Sequence, residues 1–322
     1  MKFGVLQFFS WSRRVPLATV YERAFERIEI MDKTGYDCVW LAEHHFNAYS
    51  VCPSVTLMGT HIAARTQRLR IGTAVTLAGL YHPLRLAEEL AMLDMFSNGR
   101  LNWGAGRGFD PTEFRAFEVD VGDSRERLYE CVDIVQQAWR AERFSHAGKF
   151  WQIRDVEVLP PPLQQPAPPF WMAASSPEAV CSAAAKGYSI LQDPHASHAE
   201  IGQKRRLYLN TLAEHGFNAA GRDLPTARLL AVGATRAEAV ATARAGAQWT
   251  VESYAKRGAD HNVRDPVEQY MEDTIIYGTP DEVADKLVQL RDEIGLEYLI
   301  ASPLSHESFM LFTERVLPRL LT

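Results

Sequence analysis

The chain has 322 residues, 47% of them hydrophobic and 23% charged, an ordinary globular mix that excludes a disordered or low-complexity protein. It exceeds a usual domain of about 100–200 residues, yet suits a one-domain α/β barrel of roughly 250 residues with additions. Its 34 Lys and Arg against 40 Asp and Glu give a formal charge of −6, which speaks against non-specific binding to nucleic acid or an anionic membrane.

Residues 3–9 form a short apolar run of strand length. No apolar leader or small-residue cleavage site comes before it, so no secretory leader is expected. After Pro16, the residues Leu17, Val20, Ala24, Ile28 and Met31 recur at spacings of three and four, on one helix face. Gly35 is expected to end that helix in the left-handed conformation. The segment 38–42 is nearly all apolar, as strands buried on both faces of a parallel sheet are. The unit repeats with helices over 53–65 and 83–96 and strands over 69–75 and 100–105. Ser124 is expected to cap a helix that reaches about residue 141.

An inserted hairpin around Gly148 then covers 144–156, and 160–169 is a proline-rich external loop, so 144–169 is an excursion. The rhythm resumes with a strand at 170–173 and with Ser176-Pro177, an N-cap followed by proline at the first helical position. Further strands are expected at 188–191, 227–232 and 298–300. Thr279-Pro280 opens a last crossover helix with Val283, Leu287, Leu290 and Ile294 on its apolar face. Eight strands alternating with helices predict a (β/α)₈ TIM barrel in one domain, 1–322; an open doubly wound sheet is the alternative. No apolar run reaches the length of a membrane span. Cys38, Cys52, Cys131 and Cys181 are far apart and form no C-x-x-C, which points away from a disulfide framework and towards a cytoplasmic protein.

Residues just after the C-terminal ends of barrel strands face the active site. This singles out Glu43-His44-His45-Phe46, residues 73–79, Gly104-Ala105-Gly106-Arg107-Gly108 and Ala174-Ser175-Ser176-Pro177. Glu43-His44-His45 is the densest titratable cluster, and a histidine there can take or give a proton near neutral pH. A purely structural pair is the plainer reading. A metal would need a third and fourth ligand at fixed distance, and none is expected. The third glycine of Gly104-x-Gly106-x-Gly108 comes one place too early for a dinucleotide fingerprint. The loop is either a tight turn or a close approach to a ligand, with Arg107 meeting an anion. Ser175, Ser176 and the helix start behind them offer N–H groups, a role compatible with simple capping. With Arg125 these residues suggest one phosphate at the barrel mouth. A histidine beside a phosphate-anchored cofactor suggests flavin or pyridoxal chemistry, and no lysine at a strand exit invites a Schiff base, which favours flavin.

Four segments carry a family likeness. They are Trp40-Leu41-Ala42-Glu43-His44-His45-Phe46; Ile71-Gly72-Thr73-Ala74-Val75 with His82-Pro83; Leu93-Asp94 through Ser97-x-Gly99-Arg100 with Gly104-x-Gly106-Arg107-Gly108; and Tyr277-Gly278-Thr279-Pro280. Together they resemble the bacterial luciferase-like, flavin-dependent monooxygenase family over nearly the whole chain. The resemblance implies a luciferase-like barrel, reduced FMN and molecular oxygen. His44 resembles the family's catalytic histidine, with Glu43 and His45 orienting or neighbouring it. Arg107, Arg125 and Ser176 resemble its phosphate contacts, and Ala74-Val75 its non-proline cis peptide under the flavin ring. Gly106, Ala174 and Ser175 complete the implied cofactor site.

The implied chemistry adds oxygen at the flavin C4a to give a (hydro)peroxide, and an oxygen atom then passes to a small organic substrate. Phe9, Trp11, Phe109, His195 and Tyr254 are the expected pocket walls. Without a nicotinamide site in the chain, a separate flavin reductase is expected to supply reduced FMN. A homodimer is implied, packing the 53–65 and 83–96 helices against their mates through Ala63, Ala64, Ala87 and Ala91, unless these line contacts within the chain. The chain departs from luciferase proper in having Gly106 in place of a reactive cysteine and a short segment over 256–271. Both point away from light emission and long-chain aldehydes. An F420-dependent hydride-transfer enzyme of the same superfamily and a non-catalytic flavin-binding protein are the alternatives.

Overall fold

The structure, a computed structural model, describes residues 1–11, 14–254 and 265–321. The chain begins with β1 (Lys2–Gln7), α1 (Leu17–Lys33), β2 (Cys38–Leu41), α2 (Val55–Arg65), β3 (Arg70–Thr73), α3 (Pro83–Phe96) and β4 (Leu101–Ala105). It continues with α4 (Pro111–Ala116), α5 (Ser124–Arg140), β5 (Phe144–Ala147), β6 (Gln152–Val156), β7 (Phe170–Ala173), α6 (Pro177–Ala185), β8 (Ser189–Leu191) and α7 (His198–Glu214). Then come β9 (Thr226–Val232), α8 (Arg236–Tyr254), α9 (Pro266–Thr274), β10 (Ile276–Gly278), α10 (Pro280–Ile294), β11 (Tyr298–Pro303), α11 (His306–Leu311) and α12 (Leu317–Leu320). These elements fall into two compact units.

The first unit comprises residues 6–33 and 37–173. Its strands β2, β3, β4 and β7 pair in parallel, in that order, through Cys38↔Arg70, Ile71↔Leu101 and Trp103↔Phe170. All four residues of β2 and all five of β4 are buried, the uniform burial of a covered parallel sheet. The expected hairpin is present as antiparallel β5 and β6. It is held to α5 by the Glu130 carboxylate, which accepts from the backbone N–H groups of Lys149, Phe150 and Trp151 at 3.1, 3.1 and 3.0 Å. The proline-rich loop is also tied down. The Gln164 backbone and side-chain amides donate to the buried Asp94 carboxylate at 2.8 and 2.7 Å.

The second unit comprises residues 1–5, 34–36 and 174–321 of the described chain. Residues 2–5 of β1 pair in parallel with β11, β11 with β9, and β9 with β10. A bridge between Gln192 and Thr226 brings the end of β8 beside β9. The capping box of Thr279 and Glu282 starts α10, and Gly295 in the left-handed region ends it. Near the start of α7, His198 is buried, and neither ring nitrogen has a hydrogen-bond partner among the described residues. Burial first, then the charges of Arg228 and Lys286, push this imidazole down to about 3.

All eight expected strands occur, as β1, β2, β3, β4, β7, β8, β9 and β11. β10 was not expected. Gly35 is not left-handed; its lack of a side chain matters because a Cβ there would collide with Leu321. Ser124 lies inside α5 instead of capping it, its hydroxyl turned back to the Val121 carbonyl at 2.6 Å. Ala63, Ala87 and Ala91 are buried within their own unit and do not face a mate, whereas Ala64 is exposed. The outward side chains on α2 and α3 include Leu57, Met92, Met95 and Phe96.

Candidate active site

The first unit gathers most of the expected site. Beyond β2 the chain leaves through Glu43, His44 and His45. Glu43 is 2% exposed. Its carboxylate stands 2.9 Å from His45 Nε2 and accepts from the Leu77 N–H at 3.2 Å. The Tyr81 hydroxyl donates to it as well. Burial raises the Glu43 carboxyl above the usual range, against the lowering pull of His45, Leu77 and Tyr81. Burial, and then the neighbouring Glu43 charge, drive the Tyr81 phenol far up, so it stays a donor.

His44 is fixed differently. Its N–H donates to the Cys52 carbonyl at 3.1 Å. Its ring stacks on Phe8 at 6.3 Å and meets Tyr49 and Phe109 edge-on at 5.0 and 6.1 Å. Its Nδ1 lies 3.7 Å from Oε1 of Glu113, a carboxylate on α4 that also accepts from the His45 N–H at 3.0 Å. Glu113 was not singled out from the sequence. It lies 68 residues from His45, and no spacing rule links two such positions.

The Ala74–Val75 peptide is cis. Gly106 packs beside it, and a Cβ at 106 would stand 2.5 Å from Val75 Cγ2 and 3.2 Å from Ala173 Cβ. Even the smallest side chain would displace a β-branched neighbour. Arg107, on the loop after β4, and Arg125, in the first turn of α5, are exposed, and neither has an anionic partner among the described residues. Both guanidinium groups are therefore free to take an anion, as a cofactor phosphate requires.

Ala174, Ser175 and Ser176 belong to the second unit. The Ala174 N–H donates to the Leu191 carbonyl at 3.2 Å. Ser176 caps α6, accepting from the Ala179 N–H at 3.3 Å, and Ser175 is exposed. Of the expected pocket walls, Phe109 stands beside His44, but Phe9 is wholly buried. The neighbouring Phe8 reaches the histidine instead, since successive side chains of extended chain point to opposite sides. The Trp11 indole donates to the Val15 carbonyl at 2.6 Å. His195 is in the second unit, with Nδ1 2.7 Å from the Tyr270 hydroxyl. The side chain of Tyr254 and residues 255–264 lie outside the described residues.

Comparison with known proteins adds independent findings. Over 198 residues, 61% of this chain and 54% of the relative, the sequence is 32% identical to the oxygenase component of a flavin-dependent trigonelline monooxygenase from Acinetobacter baylyi. The chain spans about half the length of the curated relatives it matches. The crystal structure of the monooxygenase RslO1 from Streptomyces bottropensis superposes with a TM-score of 0.86 at 28% identity, covering 99% of each chain. The oxygenating constituent of 3,6-diketocamphane monooxygenase from Pseudomonas putida, in complex with FMN, gives 0.84 over 100% of this chain and 99% of its own. At 19% identity that second likeness bears on the fold alone. The model of the luciferase-like monooxygenase family matches residues 1–297, and the chain belongs to that family.

Proposed function

We propose that the protein is a flavin-dependent monooxygenase that receives reduced FMN from a separate reductase and uses O₂ to oxygenate a small organic substrate. The observation that carries this reading is a partly shielded histidine, His44, in the same unit as two guanidinium groups that have no anionic partner among the described residues. Arg107 and Arg125 would hold the FMN phosphate, with Ala174, Ser175 and Ser176 as further contacts, and Ala74, Val75 and Gly106 would lie against the ring. Bound reduced FMN supplies the electrons that activate oxygen. His44 serves as the acid or base towards the substrate, and the buried Glu43–His45 pair fixes the chain around it. Phe8, Tyr49 and Phe109 keep water from the imidazole.

The relative named as an oxygenase component supports a two-component arrangement. The same reading takes residues 1–322 as one closed eight-stranded barrel, and the outward Leu57, Met92, Met95 and Phe96 as the face of a homodimer. Sedimentation showing only the mass of a single chain at micromolar concentration would remove the dimer.

Titration of the purified protein with FMN, FAD and F420 in both redox states tests the cofactor. Reduced FMN is expected to bind tightest, and tighter binding of F420 would overturn the reading. With NADH and FMN alone, turnover should be negligible until a flavin reductase is added. In that assay His44→Ala should lower product formation by about 10²–10⁴ while oxygen is still consumed, now to hydrogen peroxide. Wild-type product yield from His44→Ala would take this histidine out of the mechanism.

A further inference from the structure

We infer that Glu113 is a positioning residue for His44: it holds a proton on Nδ1 of the imidazole and so leaves Nε2 as the nitrogen that exchanges protons with the substrate. The inference rests on the reading of His44 as the acid–base group.

The local chemistry of α4 makes this carboxylate unusual. Asp110 caps the helix, its side chain accepting from the Thr112 N–H at 2.8 Å, and Pro111 takes the first helical position. Glu113 is then the third helical residue, where a glutamate ordinarily reaches back to the N-cap N–H and closes a capping box. It does not do so here. Its side chain turns instead to the loop after β2, accepts the His45 N–H at 3.0 Å and faces His44 Nδ1 at 3.7 Å, while only 3% exposed.

A buried ionised carboxylate has about four lone-pair sites to satisfy, and leaving such a group short of donors is costly. Among the described residues the His45 N–H is the one hydrogen-bond donor to Glu113, and the next polar hydrogen within reach is the one on His44 Nδ1. With the proton on Nε2 instead, the Nδ1 lone pair would face the carboxylate oxygens, which is repulsive. Around the ring, Phe8 stacks on one face and Tyr49 and Phe109 meet it edge-on. At 3.7 Å the contact is longer than a hydrogen bond, and contacts of this kind commonly tighten only once a ligand is bound. Glu43 cannot take the role, because its carboxylate already serves His45 Nε2, the Leu77 N–H and the Tyr81 hydroxyl.

The test uses flavin-free protein with ¹⁵N-labelled histidine, in which long-range proton–nitrogen correlations report the tautomer of each imidazole. Wild type is expected to carry the His44 proton on Nδ1. Glu113→Ala removes both acceptor oxygens and should move the population towards the Nε2 tautomer; Glu113→Gln, whose amide oxygen can still accept from the His45 N–H and face Nδ1, and Glu113→Asp, the same group on a shorter arm, should keep Nδ1–H in part. Under turnover with a flavin reductase, Glu113→Ala should lower kcat by about 10²–10⁴ with little change in KM, with recovery in Glu113→Asp. An unchanged His44 tautomer in Glu113→Ala overturns the inference, as does a uniform loss of the fold in all three variants. Because the spectra need no turnover, a tautomer that shifts in a protein that never oxygenates would leave Glu113 in place and remove the monooxygenase reading instead.

Discussion

Arg125 occupies the first turn of α5, where the partial positive charge of the helix end disfavours a cation. Arg107 stands on a loop, exposed and unpaired among the described residues. Such placement yields little for folding, and a bound anion would balance both charges. Arg107→Ala should therefore weaken reduced FMN about tenfold to a hundredfold, the range for losing one charge-assisted contact. Riboflavin, which has no phosphate, should bind almost as before. Equal losses for both ligands, read by fluorescence titration, would make Arg107 a structural residue. At this scale the sequence revealed the chemical types and the strand exits that carry them, because both are local. It did not reveal the choice between Phe8 and Phe9, where one residue of register decides which side chain reaches the site. Nor did it reveal Glu113, whose partners come from a distant stretch of chain.

Elements were legible where one local pattern suffices. β1 and β2 announced themselves as short, mainly apolar runs, and the hairpin as a turn at Gly148. β10 was missed, and its pairing with β9 is made across a long stretch of chain. What pins the hairpin is not local either, as three successive N–H groups converge on one carboxylate of α5. Glu130→Ala should strand those donors and lower stability by about 3 kcal/mol in urea denaturation, with amide exchange at residues 149–151 speeding up most. Exchange that stays at the wild-type rate would show that β5 and β6 hold themselves.

For the molecule as a whole, His198 links stability to pH. Its folded value of about 3 lies below the ordinary 6.5, so the unfolded chain takes up the proton first as the solution is acidified. The contribution is complete above about pH 6.5 and is lost as pH falls towards 3, on the order of 5 kcal/mol across that window. His198→Phe should flatten the acid limb of a stability–pH curve while changing little near pH 8. An acid limb of unaltered slope would assign acid unfolding to other groups.

The crowding around Gly106 also bears on how the protein withstands chemical attack. With no side chain at that position, and no room for one beside Val75, position 106 itself offers no sulfur to alkylate or oxidise. Cys52, whose carbonyl accepts from the His44 N–H, is buried and its thiol is pushed up to about 12, so it forms almost no thiolate. Cys38 and Cys131 are buried too, and Cys181 is half-buried in the other unit. A maleimide should therefore leave turnover intact under conditions that silence an enzyme with a reactive cysteine beside its flavin.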